Sequence, residues 1–248
     1  MNANTTAPAT ETLPDPLPDN PLQVASDWLE QARIDALQPN PNAMVLATAD
    51  GRGQPSARVV LCKDIAPAAG FLTFYTNYES RKGRELEANP RAAGVFHWDH
   101  RHRQVRVEGR VERLSDAEND AYFSSRPWQS RLGAWASRQS APVESRSILA
   151  LAIASAARRF GIPYDGPGSP EPDLESARIE RPPTWGGYRL VVDAIELWVE
   201  GEYRIHDRAR WTRRGVAPGA AAPGAGAPGA GASATLPAAA WSGTRLQP

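Results

Sequence analysis

With 248 residues, 28 basic and 28 acidic side chains, the chain has no net charge, which excludes a general attraction to nucleic acid or to an acidic membrane surface. No apolar run approaches the length of a membrane span, and the single cysteine, Cys62, excludes an internal disulfide and suits a reducing cytoplasm. Setting aside the stretches rich in Pro, Gly and Ala leaves roughly 170–180 residues, enough for one well-buried core.

Residues 1–21, rich in Pro, Thr, Asn and Ala and without apolar periodicity, read as a disordered leader rather than a secretion signal. The globular domain spans 22–212 and opens on an amphipathic helix over 22–37, where Leu22, Ala25, Trp28, Leu29, Ala32 and Leu37 recur at near-helical spacing. Strands follow at 43–49 and 56–63, joined by the turn Asp50-Gly51-Arg52-Gly53, with a third at 70–76. Cys62 falls in the apolar run Val59-Val60-Leu61-Cys62, which fits a buried packing role better than a nucleophile. Ser80 is a good N-cap for a helix over 81–89, which Pro90 stops. Strands at 92–98 and 104–114 make a second hairpin; in the latter, Val105, Val107 and Val111 alternate with Gln104, Arg106, Glu108, Arg110 and Glu112, as in a half-buried strand. His97, His100 and His102 fall at the hairpin tip, where their spacing suits a polar turn better than a metal site.

Ser115 with Glu118 predicts a capping box and a helix to about Ser125, interrupted by Pro127; another helix covers about 143–160. Residues 161–183 are a Gly- and Pro-rich loop, strands are expected at 187–192 and 195–198, and these lead to 203–208. An insertion of Gly, Ala and Pro over 213–240 precedes a closing segment at 241–248. Six or more antiparallel strands with helices between the hairpins predict a mainly β fold, a small antiparallel barrel with inserted helices. No Gly-x-Gly-x-x-Gly or Walker sequence supports a dinucleotide or triphosphate fold.

Five clusters carry candidate chemistry. In Tyr75-Thr76-Asn77-Tyr78-Glu79-Ser80-Arg81-Lys82 a strand end and a turn deliver two cations to a helix N-terminus, whose amides and dipole already favour an anion. Taken alone, the pair also suits a solvated basic turn. Arg58 and Lys63 bracket one strand and, five residues apart, face opposite sides unless the strand is bulged. Tyr122, Arg126 and Ser130 recur every four residues, on one face of a helix that Pro127 breaks. Arg204, His206 and Arg208 alternate along an expected strand and share a face, and Trp135 to Ser140 reads as a polar loop with an aromatic entry. Each cluster alone is compatible with ordinary charged surface; together, two phosphorylated ligands account for the surplus of cationic and hydroxyl groups.

The blocks Ala43-Met44-Val45-Leu46-Ala47-Thr48, Arg58-Val59-Val60-Leu61-Cys62-Lys63, Phe74-Tyr75-Thr76-Asn77, Ser80-Arg81-Lys82, Gln104-Val105-Arg106-Val107-Glu108-Gly109, Ser125-Arg126-Pro127, Gly133-Ala134-Trp135, Ser137-Arg138-Gln139-Ser140, Trp185-Gly186-Gly187 and Arg204-Ile205-His206-Asp207-Arg208 resemble, in this order, the pyridoxamine 5′-phosphate oxidase family. The resemblance spans about residues 22–212, with an echo in the terminal Arg245-Leu246-Gln247-Pro248. It implies an FMN-binding split barrel that works as a homodimer with each flavin between subunits. It implies further that Arg58, Lys63, Tyr75, Thr76, Arg81, Lys82, Gln104, Gln139, Ser140, Trp198 and Arg208 contact FMN. Lys63, Tyr122, Arg126 and Ser130 would hold a substrate phosphate, while Arg204 and His206 would lie over the substrate ring as the catalytic pair. The implied reaction oxidises pyridoxamine or pyridoxine 5′-phosphate to pyridoxal 5′-phosphate, with O₂ reoxidising the flavin and leaving as hydrogen peroxide, in the cytoplasm and without metal, nucleic acid or membrane. A related oxidase acting on another small ring compound, and a non-catalytic carrier of FMN or pyridoxal phosphate, are the alternatives. The family can close an Arg and a Tyr of its N-terminal segment over the substrate, and neither residue type occurs here before Trp28.

Overall fold

A computed structural model describes residues 11–164, 166, 169, 178–214 and 241–248. They contain strands β1 (Ala43–Ala49), β2 (Pro55–Ala66), β3 (Phe71–Asn77), β4 (Arg91–Trp98), β5 (Arg103–Arg113), β6 (Trp185–Val199), β7 (Asp207–Arg213) and β8 (Trp241–Leu246). Every pairing is antiparallel, in the order β3-β2-β1-β4-β5-β6-β7-β8, and a further β3–β6 pairing closes the first six into a barrel. The first half of β6 pairs with β3 and the second half with β7, so β7 and β8 extend away from the closed part.

Local chemistry accounts for the elements. The Asp50 carboxylate accepts from the Arg52 and Gln54 amides at 2.9 Å each and Gly53 takes φ +84°, which turns β1 into β2. In β5 the valines point inward and Gln104, Arg106 and Glu108 outward, leaving one dry face. Met44, Leu46, Cys62, Leu72, Phe74, Phe96, Val105, Leu190 and Ile195 fill the barrel with almost no exposure. Helix α1 (Pro21–Asp35), capped by Asn20 with Pro21 at its first position, adds Leu22, Ala25, Trp28, Leu29 and Ala32 to that core. Helix α2 (Arg81–Ala88) follows β3. Helices α3 (Asp116–Ser124), α4 (Trp128–Ala136) and α5 (Arg146–Arg159) build a second cluster around Phe123, Trp128, Leu132 and Trp185. The Ser115–Glu118 capping box is present, and among the described residues no helix is long and apolar enough to cross a membrane.

Four sequence expectations need correction. Strands expected at 187–192 and 195–198 are one fifteen-residue strand, because the break is absorbed by a bulge at Asp193, opposite Gly109, where a Cβ would meet the Val191 carbonyl at 1.9 Å. No strand covers 203–206: Tyr203 and Arg204 take φ of +54° and +66°, and β7 starts only at Asp207. Arg204, His206 and Arg208 therefore do not alternate along one strand. Trp135 closes α4 rather than opening a loop. Of the expected leader, residues 11–20 lie against the barrel: Leu13 is buried, its amide donates to Asp207 at 2.7 Å, and Glu11 pairs with Arg103. Residues 1–10, the tract 215–240 and part of the loop over 161–183 lie outside the described residues, while 241–246 return as β8 beside β7.

Candidate active site

The end of β3 passes through Tyr78 and Glu79 into α2, and Ser80 caps that helix by accepting from the Gly83 amide at 3.2 Å. Only glycine fits at position 83, since a Cβ there would lie 2.0 Å from the Tyr78 carbonyl oxygen. This close turn places Arg81 and Lys82 in the first helical turn, where they oppose the helix dipole unless an anion joins them. Lys82 is buried and its ammonium donates to Thr76 Oγ1 at 3.0 Å and to Gln139 Oε1 at 3.2 Å. Burial, reinforced by the Arg58 charge, pulls its pKa down to about 8. Arg58, Arg81, Lys82, Gln139 and Ser140, with Ser56, line one cavity of about 360 Å³.

Behind these cations lies a buried carboxylate. Glu85 pairs with Arg58 at 3.1 Å and with Arg81 at 2.8 Å, and accepts from Thr48 Oγ1 at 2.5 Å and Ser56 Oγ at 2.7 Å. Burial works against its charged form, yet the hydrogen bonds from Thr48, Ser56, Arg81 and Arg58 together hold its carboxyl at about 2.

A larger cavity of about 660 Å³ adjoins the first and shares Val59, Lys82 and Gln139 with it. It is lined by Lys63, Tyr75, Thr76, Tyr122, Arg126, Ser130 and Trp185. The rings of Tyr75, Tyr122 and Trp185 are nearly parallel, Tyr75 lying 3.9 Å from Tyr122 and 5.2 Å from Trp185. Burial raises the Tyr75 phenol to about 12, so it stays protonated. The Arg126 guanidinium lies 4.6 Å from the Trp185 ring, and its buried Nη1 has no hydrogen-bond partner among the described residues. Desolvation lowers the pKa of Arg126, the mark of a cation held without a counter-ion. Pro127 breaks the chain between α3 and α4, so Tyr122, Arg126 and Ser130 reach the cavity from a helix, a bend and a second helix. The parity problem of Arg58 and Lys63 is resolved by a bulge: Cys62 faces Phe74 and Asp64 faces Thr73, leaving Lys63 as the extra residue.

The remaining expected residues stand elsewhere. Gln104, Trp198 and Arg208 are register partners across β5, β6 and β7 and form a transverse row. Arg208 is held by Glu196, buried at 3% exposure, through bonds of 2.9 and 3.1 Å. The His206 ring sits 4.7 Å from Trp198 and its Nδ1 accepts from the Gly201 amide, leaving Nε2 as the nitrogen it can offer a ligand. Arg204 projects from the exposed left-handed turn beside it. None of these five residues lines either cavity. Trp185 begins β6 and Trp198 nearly ends it, roughly 40 Å apart along the strand at the usual rise per residue.

Thr48, Ser56, Glu85 and Trp185 were not picked out as site residues from the sequence. Glu85 stands four positions after Arg81, a helical pairing distance that could have revealed it. Trp185 carries no local signal, because its role comes from stacking on residues far away in sequence.

Residues 31–159 match the family model for pyridoxamine 5′-phosphate oxidase, and residues 185–248 match that for the pyridoxine 5′-phosphate oxidase C-terminal dimerisation region. The chain is 51% identical over 194 residues to a pyridoxine/pyridoxamine 5′-phosphate oxidase of Paraburkholderia phytofirmans, spanning 78% of this chain and 83% of that protein. It is 50% identical over 194 residues to a protein of the same name from Burkholderia mallei, spanning 78% and 82%. The crystal structure of PhzG from Burkholderia lata, in complex with tetrahydrophenazine-1-carboxylic acid, matches with a TM-score of 0.73 at 27% identity over 94% of this chain and 95% of that one. A pyridoxamine 5′-phosphate oxidase-related, FMN-binding protein of Nostoc punctiforme shares the fold, with a TM-score of 0.60 at 16% identity over 91% and 96%.

Proposed function

The chain belongs to the pyridoxamine 5′-phosphate oxidase family of oxidoreductases, and from that premise we propose that it binds FMN and oxidises pyridoxamine and pyridoxine 5′-phosphate to pyridoxal 5′-phosphate, passing the electrons to O₂ to give hydrogen peroxide. The observation that carries this reading is a pair of adjoining cavities with cations in each: Arg58 and Arg81 in one, Lys63 and Arg126 in the other, and Lys82 shared between them. One phosphate suits each group, the first from the cofactor and the second from the substrate. The unpartnered Arg126 Nη1 and the depressed Lys82 ammonium both fit an incoming anion.

When bound, FMN supplies the two-electron acceptor for the hydride that leaves the substrate's amine- or alcohol-bearing carbon. The chain's own residues bind and orient. Arg58, Arg81, Lys82, Gln139 and Ser140, with Thr76, take the cofactor phosphate; Lys63, Tyr122, Arg126 and Ser130 take the substrate phosphate, and the Tyr75–Tyr122–Trp185 stack excludes water beside it. Gln104, Trp198 and Arg208 contact the flavin, while Arg204 and His206 face the substrate ring as positioning and electrostatic groups.

The distance between Trp185 and Trp198 keeps the row on β5, β6 and β7 away from the cavities of its own chain. A homodimer, in which that row comes from the second copy, completes each site. The match of 185–248 to a dimerisation region and the exposed apolar side chains Val45, Val59, Leu61 and Ile205 support this assembly. The experiment is the visible spectrum of the purified protein, followed by O₂ uptake with phosphorylated and unphosphorylated vitamers. A colourless protein that binds no added FMN would refute the reading, and flavin without turnover would leave a carrier. The likeness to PhzG favours one second reading, an oxidase of an unphosphorylated ring compound. Turnover indifferent to the substrate phosphate would select it.

A further inference from the structure

We propose that Glu85 is a positioning residue for cofactor selection, fixing the guanidinium groups of Arg58 and Arg81 so that the site prefers a phosphate monoester over the same ring system without one. The inference rests on the FMN reading and deepens it. Four donors meet on this one carboxylate: Arg58, Arg81, Thr48 and Ser56. The two hydroxyls are bifunctional, because Thr48 Oγ1 also accepts from Arg58 Nη1 at 2.5 Å, and Ser56 Oγ accepts from Arg58 Nη2. Arg58 is thereby locked by a closed ring of hydrogen bonds, completed by the Leu46 carbonyl at 3.3 Å. Arg81 engages Glu85 through Nε alone, which leaves its two terminal nitrogens for a ligand.

Charge points the same way. Three cations, Arg58, Arg81 and Lys82, stand against one carboxylate, a surplus of two positive charges facing a cavity. A phosphate monoester carries roughly −1.5 to −2 at neutral pH, so the surplus balances it. Glu85 is 5% exposed and behind the cations, so it reaches a ligand only through them.

The two roles open to such a carboxylate differ in sign. If Glu85 acted only by its charge, Glu85→Gln would remove a repulsion and tighten FMN. If it positions the two guanidinium groups, the same change frees them and weakens FMN. The test is titration of the apo wild-type and variant proteins with FMN and with riboflavin, followed by quenching of flavin fluorescence. The expected result is an FMN Kd raised about 10- to 100-fold, with riboflavin affinity changed less than about twofold. Ser56→Ala, which keeps the carboxylate and removes one hydroxyl, should raise the FMN Kd roughly threefold to tenfold with the same selectivity, and it decides the matter if Glu85→Gln does not fold. Unchanged or tighter FMN binding overturns the proposal, and so does a parallel loss of FMN and riboflavin, which marks general damage. A wild-type chain that binds no FMN refutes the cofactor reading itself and this inference with it; a wild-type chain that binds FMN beside variants of equal affinity refutes this inference alone.

Discussion

If, as proposed, Lys82 holds the FMN phosphate, the affinity for FMN should depend on pH in a window set by its pKa of about 8. In the free protein burial and Arg58 disfavour its charge, whereas a phosphate beside the ammonium favours it, so FMN binding takes up a proton wherever Lys82 was neutral beforehand. Affinity is therefore full below about pH 8 and falls above it. Between pH 7 and 9.5 the charged fraction drops from about 0.9 to about 0.03, a loss of roughly 30-fold or about 2 kcal/mol. The FMN phosphate, with its second pKa near about 6, keeps its charge across the window. Stability of the apo protein runs the other way. A folded pKa below the ordinary 10.5 means that the unfolded chain binds more protons between pH 8 and 10.5, so this residue's contribution to folding rises while the affinity falls. Fluorescence titrations with FMN from pH 6.5 to 9.5 at constant ionic strength, run beside Lys82→Gln, test this. The variant should bind more weakly at pH 7 and show little slope; a flat wild-type profile, or an equal slope in the variant, would refute the reasoning.

Other substitutions separate the parts of the site. Arg126→Leu should raise KM strongly for phosphorylated vitamers and erase their preference over unphosphorylated ones while FMN stays bound; retained preference in steady-state kinetics would remove Arg126 from the substrate phosphate. Arg204→Leu should instead lower kcat/KM for both kinds of substrate, again without loss of flavin, and release of FMN on purification would contradict its assignment to the substrate. Gly83→Ala forces a Cβ into the Tyr78 carbonyl and should cost about 2 kcal/mol in thermal unfolding together with FMN affinity; a variant that melts and binds like the wild type would show that the turn can open.

What could be read from the sequence was what is local in it. The Asp50 turn, the Ser80 cap, the Ser115–Glu118 box and the alternation of β5 each arise from neighbours within a few residues, and each is found in the structure. The single long β6 was not legible, since its bulge at Asp193 depends on Gly109 of another strand. The same holds for the site. Arg81 and Lys82 were legible as cations at a helix start, and they line one cavity; Tyr122, Arg126 and Ser130, spaced by four, line another together despite Pro127. Arg204 was misplaced because alternation in sequence cannot reveal two successive left-handed residues, a conformation set by the surrounding chain. The packing of residues 11–20 was hidden for a related reason: Leu13 and Glu11 find Asp207 and Arg103 only once the barrel exists.

The length of β6 also decides how genetic damage would be shared. In the dimer proposed above, each copy lends the cavities near Trp185 to one centre and the row at Trp198 to the other. Two chains crippled at opposite ends of this strand, once mixed, would form some dimers in which one centre gathers both lesions and the other has none. Alleles that are each inactive alone could thus complement one another, whereas two alleles damaged at the same end could not.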